Sequence, residues 1–247
     1  MYVIICMFHI ECYNELMENK YRKNQDIQTQ NIYKKGLKMN KLLFQASNLI
    51  YKSNLTYNDV KIEQGKINFI VGESGCGKST FLKLLNQSIN PTSGELLYKG
   101  KPVSSYDPIT LRREVSLVSQ EVFLFDESIT DNFKTFYVLR QKPMPSQDYI
   151  AYITNLCCVN VPLDQNASTL SGGERQRVYI SIFLSLCPSV ILLDEPTSAL
   201  DEKNSHKIMV NIKNFCMEKN IDLVIVSHNK SILEEFCEHK IEIVKGA

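Results

Sequence analysis

From Leu42 onward the apolar positions alternate between two patterns. Short, nearly continuous apolar runs at 67–71 (Ile-Asn-Phe-Ile-Val), 115–119, 190–193 and 222–227 predict strands covered on both faces. Between them apolar residues recur at helical spacing. The segment 79–89 carries Phe81, Leu82, Leu84, Leu85 and Ile89, and it must stop before Pro91. Residues 175–186 place Val178, Ile182 and Leu186 on one face, and 203–218 and 230–237 read as two more helices. Residues 126–165 read as mostly helical, interrupted at Pro143 and Pro145. A turn at 91–94 and a short strand at 95–98 precede Lys99-Gly100. Strands separated by helices predict an α/β fold with a mostly parallel, doubly wound sheet.

Residues 1–38 break this pattern. A short apolar start gives way to a polar stretch, 19–31, with neither helical nor strand period, which predicts little stable structure. Lys34-Lys35-Gly36 can be encoded by a ribosome-binding sequence, with Met39 at a suitable spacing behind it. Two readings stay open: translation that begins at Met39, or a genuine flexible extension. In either case the ordered domain is expected over 39–247.

Composition narrows the function. The 247 residues carry 28 Lys+Arg against 27 Asp+Glu, a formal net charge of +1, so the basic footprint of a nucleic-acid binder is missing and no such partner is expected. Hydrophobic residues at 44% suit a folded domain. The 8 Cys contain no C-x-x-C pair, which argues against zinc and thioredoxin chemistry and for reduced thiols. The apolar runs are far too short to cross a membrane, and the start lacks the features of a signal peptide.

Three motifs carry chemistry. Residues 72–79, Gly-Glu-Ser-Gly-Cys-Gly-Lys-Ser, fit the phosphate-binding G-x-x-x-x-G-K-[ST] loop after a strand and before a helix. Its backbone N–H groups and the helix dipole would cradle phosphate, with Gly72, Glu73, Ser74, Gly75, Cys76, Gly77, Lys78, Ser79 and Thr80 as nucleotide-binding residues. Lys78 would reach the β- and γ-phosphates and Ser79 would hold Mg²⁺. The run at 191–195 ends in two carboxylates at the carboxyl end of a strand. Asp194 would hold Mg²⁺ through water, and Glu195 would orient and deprotonate the attacking water. Leu170-Ser171-Gly172-Gly173-Glu174 opens the helix at 175–186 and makes a second anion site, in a chain with a single P-loop. That points to nucleotide shared between two chains.

With these motifs in this order, residues 42–245 resemble the nucleotide-binding subunits of ATP-binding cassette (ABC) transporters. Leu170–Glu174 matches the family's signature motif. The resemblance implies a P-loop, RecA-like, mostly parallel core with an antiparallel β edge and a helical subdomain inserted at about 121–184. It implies ATP and Mg²⁺ as ligands, with Ser171, Gly172, Gly173 and Glu174 on the nucleotide. Gln120 matches the Q-loop glutamine on Mg²⁺ and the membrane partner, and His228 matches the switch histidine. Ser198 and Asp201 match the D-loop at the dimer interface. Tyr51 is expected to stack on adenine, with Tyr57 as the alternative and core packing as the plain reading of either. Cys76 fills a small position or is made reactive by Lys78 and the helix N-terminus.

The same resemblance implies a two-fold, head-to-tail dimer that hydrolyses ATP at the cytoplasmic face of the membrane and drives a separate transmembrane permease. The stretches 107–113 and 120–132 look like the ATPases of bacterial iron-export (Fet-type) systems. Phosphate and amino-acid importer ATPases are the alternative. Soluble ABC machines of DNA repair or translation stay a third reading, although the long coiled coils or second cassette usual in them are missing from this sequence.

Overall fold

The computed structural model describes residues 41–52, 55–198, 200 and 202–244, apart from the side chain of residue 203. The chain separates into two units, Met1–Lys41 and Leu42–Ala247, and the account below concerns the second. The expectations for residues 1–38 and Asp201 lie outside the described residues.

Ten strands and seven α-helices follow one another among the described residues: β1 (Leu42–Tyr51), β2 (Leu55–Tyr57), β3 (Val60–Glu63), β4 (Ile67–Val71), α1 (Lys78–Leu85), β5 (Ser93–Tyr98), β6 (Lys101–Pro102), α2 (Pro108–Glu114), β7 (Val115–Val118), α3 (Ile129–Leu139), α4 (Gln147–Leu156), α5 (Gly172–Ser185), β8 (Val190–Asp194), α6 (Glu202–Lys219), β9 (Asp222–Val226), α7 (Lys230–Phe236) and β10 (His239–Glu242). They form two five-stranded sheets. One is entirely parallel, in the order β10-β4-β9-β8-β7. The other is antiparallel, with β1 paired to β2, β3 and β5, and β6 on β5. The antiparallel component is thus a sheet of its own.

Strand period decides what each face of the parallel sheet meets. Phe69, Ile191, Leu193, Leu223 and Ile225 join one core with side chains of α3 to α7. Ile70, Leu192, Val224 and Val226 join the other core, with Phe81, Leu82, Leu84 and Leu85 of α1 and with Leu43, Phe44 and Leu49 of β1. Every residue of β8 is buried. The one polar residue in the middle of β4, Asn68, is fully buried, and its amide is satisfied. It accepts from the Glu63 N–H, donates to the Glu63 and Lys66 carbonyls, and meets His239 Nδ1 at 2.9 Å.

Two helix boundaries differ from the sequence reading. The helix expected over 79–89 ends at Leu85. Gln87 takes a left-handed φ of 55°, and the Ser88 N–H bonds the Lys83 carbonyl at 2.9 Å, a closure that satisfies orphan carbonyls well before Pro91. The helix expected from Arg175 starts at Gly172, because Ser171 and Glu174 form a reciprocal capping box. The signature glycines are therefore its first turn.

Between β7 and β8 the chain inserts α3, α4 and α5. The loop ahead of α3 is closed by Asn132, which is fully buried. Its Nδ2 lies 3.0 to 3.3 Å from the carbonyls of Phe125, Glu127 and Ser128, and its Oδ1 accepts from the Phe125 N–H at 2.9 Å. Asn132→Leu keeps the volume but strands those backbone groups. It is expected to cost about 2–3 kcal/mol of stability, read as a lowered urea midpoint at unchanged slope.

Candidate nucleotide site

The parallel sheet delivers the chemical groups to one edge. Lys78, His228, Asp194 with Glu195, and Gln120 stand at or beyond the carboxyl ends of β4, β9, β8 and β7, in that order across adjacent strands. They line one cavity of about 740 Å³, together with Ser74, Gly75, Gly77, Ser79, Thr80 and Ser198. Leu55 lines it as well.

The loop over 72–77 depends on glycine at two points. Gly72 has φ 153°, and a Cβ there would lie 2.2 Å from the Ile243 carbonyl oxygen, where the chain runs on from β10. Gly77 has φ 101°, and a Cβ there would lie 2.7 Å from the Tyr57 hydroxyl. The Lys78 ammonium donates to the carbonyls of Gly72 at 2.9 Å and Glu73 at 2.8 Å. Glu73 itself is exposed and contributes only that carbonyl to the loop's observed contacts.

Tyr57, the alternative for adenine stacking, is a core residue. It is 2% exposed, its ring lies 4.8 Å from Phe81, and its hydroxyl donates to the Gly77 carbonyl at 2.9 Å. The peptide is planar and trans, so a carbonyl held toward Tyr57 turns the Lys78 N–H to the opposite side. Tyr57 braces the loop from beneath and presents no face to a ligand; sequence spacing gave no sign of this role. Tyr51 is half-buried at the end of β1, beside the Lys52 ammonium at 5.3 Å, and does not line the cavity. Cys76 is 2% exposed, with Sγ 3.9 Å from Lys78 Nζ. Burial removes the access that a reactive thiol needs and leaves the small-filler reading.

Two carboxylates are drawn out of water at the end of β8. Burial pushes the Asp194 carboxyl above its ordinary value, opposed by the Ser79 hydroxyl that hydrogen-bonds it and by Lys83 and Lys78. Burial also raises Glu195; the His228 charge and backbone N–H oppose this, and Asp194 adds to it. The His228 N–H donates to Glu195 Oε2 at 3.4 Å, and His228 Nε2 lies 3.4 Å from Oε1. Among the described residues neither Asp194 Oδ1 nor Glu195 Oε1 accepts a hydrogen bond, although both are buried. Glu195 has a left-handed φ of 52°.

The signature residues stand apart. Ser171, Gly172, Gly173 and Glu174 do not line this cavity. Glu174 Oε2 accepts from the Ser171 N–H at 2.9 Å and the Ser171 hydroxyl at 2.6 Å, and these bonds hold its carboxyl below the usual range. Its charge is thus committed to capping its own helix. The Ser171 oxygen in turn accepts the Glu174 N–H at 3.4 Å. The box leaves the Gly172 and Gly173 N–H groups as the uncapped donors of the first turn. A Cβ at Gly172 would meet nothing within 4 Å, so an anion has room to approach.

Comparison with known proteins agrees with this geometry. A family model described as ABC transporter matches residues 55–198. The chain is 35% identical over 195 residues to the probable iron export ATP-binding protein FetA of Escherichia coli (strain K12), covering 77% of this chain and 87% of that protein. It is 36% identical over 194 residues to the phosphate import ATP-binding protein PstB of Campylobacter jejuni, covering 74% and 78%. A dimeric, post-hydrolysis structure of the ATP-binding cassette MJ0796 with ADP and Pi superimposes with a TM-score of 0.71 at 24% identity, over 83% of this chain and 97% of that one. The family match covers more than half of the chain and spans the phosphate loop and both carboxylates, so the chain belongs to the ABC transporter family, as an ATPase cassette.

Proposed function

We propose that this chain is the ATP-hydrolysing subunit of a membrane transporter, working as two copies that enclose two ATP and drive a separate transmembrane permease from the cytoplasmic face. One observation carries the reading. The cavity gathers the phosphate loop, Gln120, Asp194, Glu195 and His228, while the start of α5, with the uncapped N–H groups of Gly172 and Gly173, lies outside it. A single copy therefore holds two separate anion-binding half-sites. In the head-to-tail pair, Ser171 and Gly173 of one copy complete the site of the other, and Ser198 and Asp201 lie at the interface. Among the described residues no helix is long and apolar enough to cross a membrane.

The residues fit Mg²⁺. Hard oxygen donors suit that ion, and Asp194 Oδ1 is buried without a hydrogen-bond donor beside the Ser79 hydroxyl. Asp194, Ser79 and Gln120 would hold it, and it would supply neutralisation of phosphate charge. Lys78 exchanges its two carbonyl partners for the β- and γ-phosphate oxygens. Glu195 orients a water in line with the γ-phosphorus and accepts its proton as the water oxygen bonds to phosphorus and the bond to ADP breaks. His228 donates to the γ-phosphate from the rim.

For the cargo, the similarity to the iron-export protein of Escherichia coli extends over most of that protein's length, and iron or a related metal ion is the cargo proposed. Phosphate import is the second reading, favoured by the 36% identity to the Campylobacter jejuni protein. Deleting the chain from its native cell separates them: raised cell iron supports export, and lost phosphate uptake supports import.

Glu195→Gln is expected to bind Mg-ATP while turnover falls about 10²–10⁴-fold, the usual contribution of a general base. Light scattering should show an ATP-dependent dimer, and a monomer at saturating Mg-ATP would contradict the shared site. The same variant, pulled from solubilised native membranes with Mg-ATP, is expected to bring a polytopic membrane protein in stoichiometric amount; recovery with only soluble proteins or nucleic acid would favour a soluble ABC machine.

Activity requires ionised Glu195, and burial raises its pKa. Turnover is therefore lost as pH falls through that raised value, and the acidic limb of kcat/KM should lie above the ordinary glutamate range. A limb at or below that range would contradict the role of burial.

A further inference from the structure

We propose that Gln176 is a positioning residue for the Glu195 base and ties it to the helix that carries the second anion site; this rests on the reading of Glu195 given above. Gln176 lies on α5 and is 5% exposed. Its Nε2 donates to the backbone carbonyl of Glu195 at 2.8 Å, across 19 residues of sequence. The same carbonyl accepts the Ser198 N–H at 3.3 Å and the Ser198 hydroxyl at 3.1 Å. The Glu195 N–H is held by the Val226 carbonyl of β9 at 2.9 Å.

Glu195 needs this much restraint. Its φ of 52° is a left-handed conformation that an L-residue adopts only at a cost, and it persists only where the surroundings over-determine it. The torsions at Cα 195 set where the carboxylate points relative to His228. Val226 fixes the amide side through the sheet. The carbonyl side is fixed by Gln176 and Ser198 alone among the hydrogen bonds of the described residues. Of these donors only Gln176 belongs to another element and is itself buried.

The position of Gln176 gives the bond a direction. It lies five residues after the N-cap Ser171, roughly 7.5 Å along the helix axis at 1.5 Å per residue. In the paired arrangement the uncapped N–H groups of Gly172 and Gly173 face the other copy's triphosphate. A displacement of α5 on meeting that anion reaches the Glu195 carbonyl through one side chain. The base of one site thus takes its orientation from the helix that serves the other.

The test uses the full chain with Gln176→Leu and Gln176→Met, which remove the donor at similar size, beside Glu195→Gln. Gln176→Met is expected to lower kcat about 10- to 100-fold, the scale of a catalytic group misplaced by about 1 Å. Its affinity for ATP without turnover and its thermal midpoint should stay near wild type, so that the loss falls on kcat and not on KM. Placed in the Glu195→Gln background, Gln176→Met should lower the residual rate no further, because it acts through that carboxylate. A folded Gln176→Met with wild-type kcat would overturn the inference. So would a loss that persists undiminished in the Glu195→Gln background, since that marks a general structural role. If Gln176→Leu fails to fold, Gln176→Met carries the test. If Glu195→Gln itself turns over normally, the assignment of the base falls instead, and this result is told apart from the others by that single variant.

Discussion

The parallel hydrogen-bond ladder through β4, β9, β8 and β7 is the constraint on which the site depends. Neighbouring strands lie about 4.8 Å apart, so the loops at their carboxyl ends form a row. Lys78, His228, Asp194 with Glu195, and Gln120 are the contents of that row. None of these groups needs a contact with the others to be near them. A slip of one residue in any pairing would exchange the two faces, sending Leu192 or Val224 into the helical core and Leu193 or Ile225 toward α1. The two cores, with different partners on each face, oppose such a slip, and the apolar packing thereby protects the register of the polar edge.

That edge bears charges taken out of water. Lys78 is satisfied by two loop carbonyls, and Asp194 has the Ser79 hydroxyl, yet one oxygen of each carboxylate stays buried without a donor among the described residues. In an ordinary core such atoms are an uncompensated cost. Here they lie beside a cavity lined by phosphate-loop residues and Lys78, where the cation and phosphate proposed above would supply what is missing. The left-handed backbone at Glu195 is a second local rule broken at the same place.

Much of this could be read along the chain. The strands at 67–71, 190–193 and 222–226 are legible because burial on both faces writes a nearly continuous apolar run. The phosphate loop is legible because few sequences place glycines and lysine so. What stayed hidden depends on contacts between distant residues. Nothing near Gln87 announces a left-handed helix end, and nothing in a glycine pair says that it lies inside a helix until Ser171 and Glu174 are seen to cap one another. Tyr57 stands second to Tyr51 as a stacking aromatic in the sequence, with core packing as its plain reading; that it lies beneath the loop follows from the pairing of β2 with β1. Asn132 resembles any polar residue in the first turn of a helix, and its four partners appear only when the loop at 125–128 folds back. The short β10, whose continuation at Ile243 crowds Gly72, carries too few residues to show a period.

The capping box explains why the second anion site can stand outside its own cavity without harm to the fold. An uncapped helix start leaves four N–H groups wanting partners, and burying or satisfying all of them would leave nothing to offer a ligand. Ser171 and Glu174 satisfy the outer groups and keep the helix stable alone, while Gly172 and Gly173, which have no side chains to stand in the way, keep their N–H groups exposed to solvent or to an anion. The carboxylate of Glu174 is turned onto the Ser171 N–H and hydroxyl, which hold it ionised and engaged with its own cap. A helix built this way is stable before the anion arrives and gains from it afterwards. Gln176 on the same helix grips the carbonyl of Glu195, and under the proposal made above that gain would be registered at the carboxylate assigned as the base.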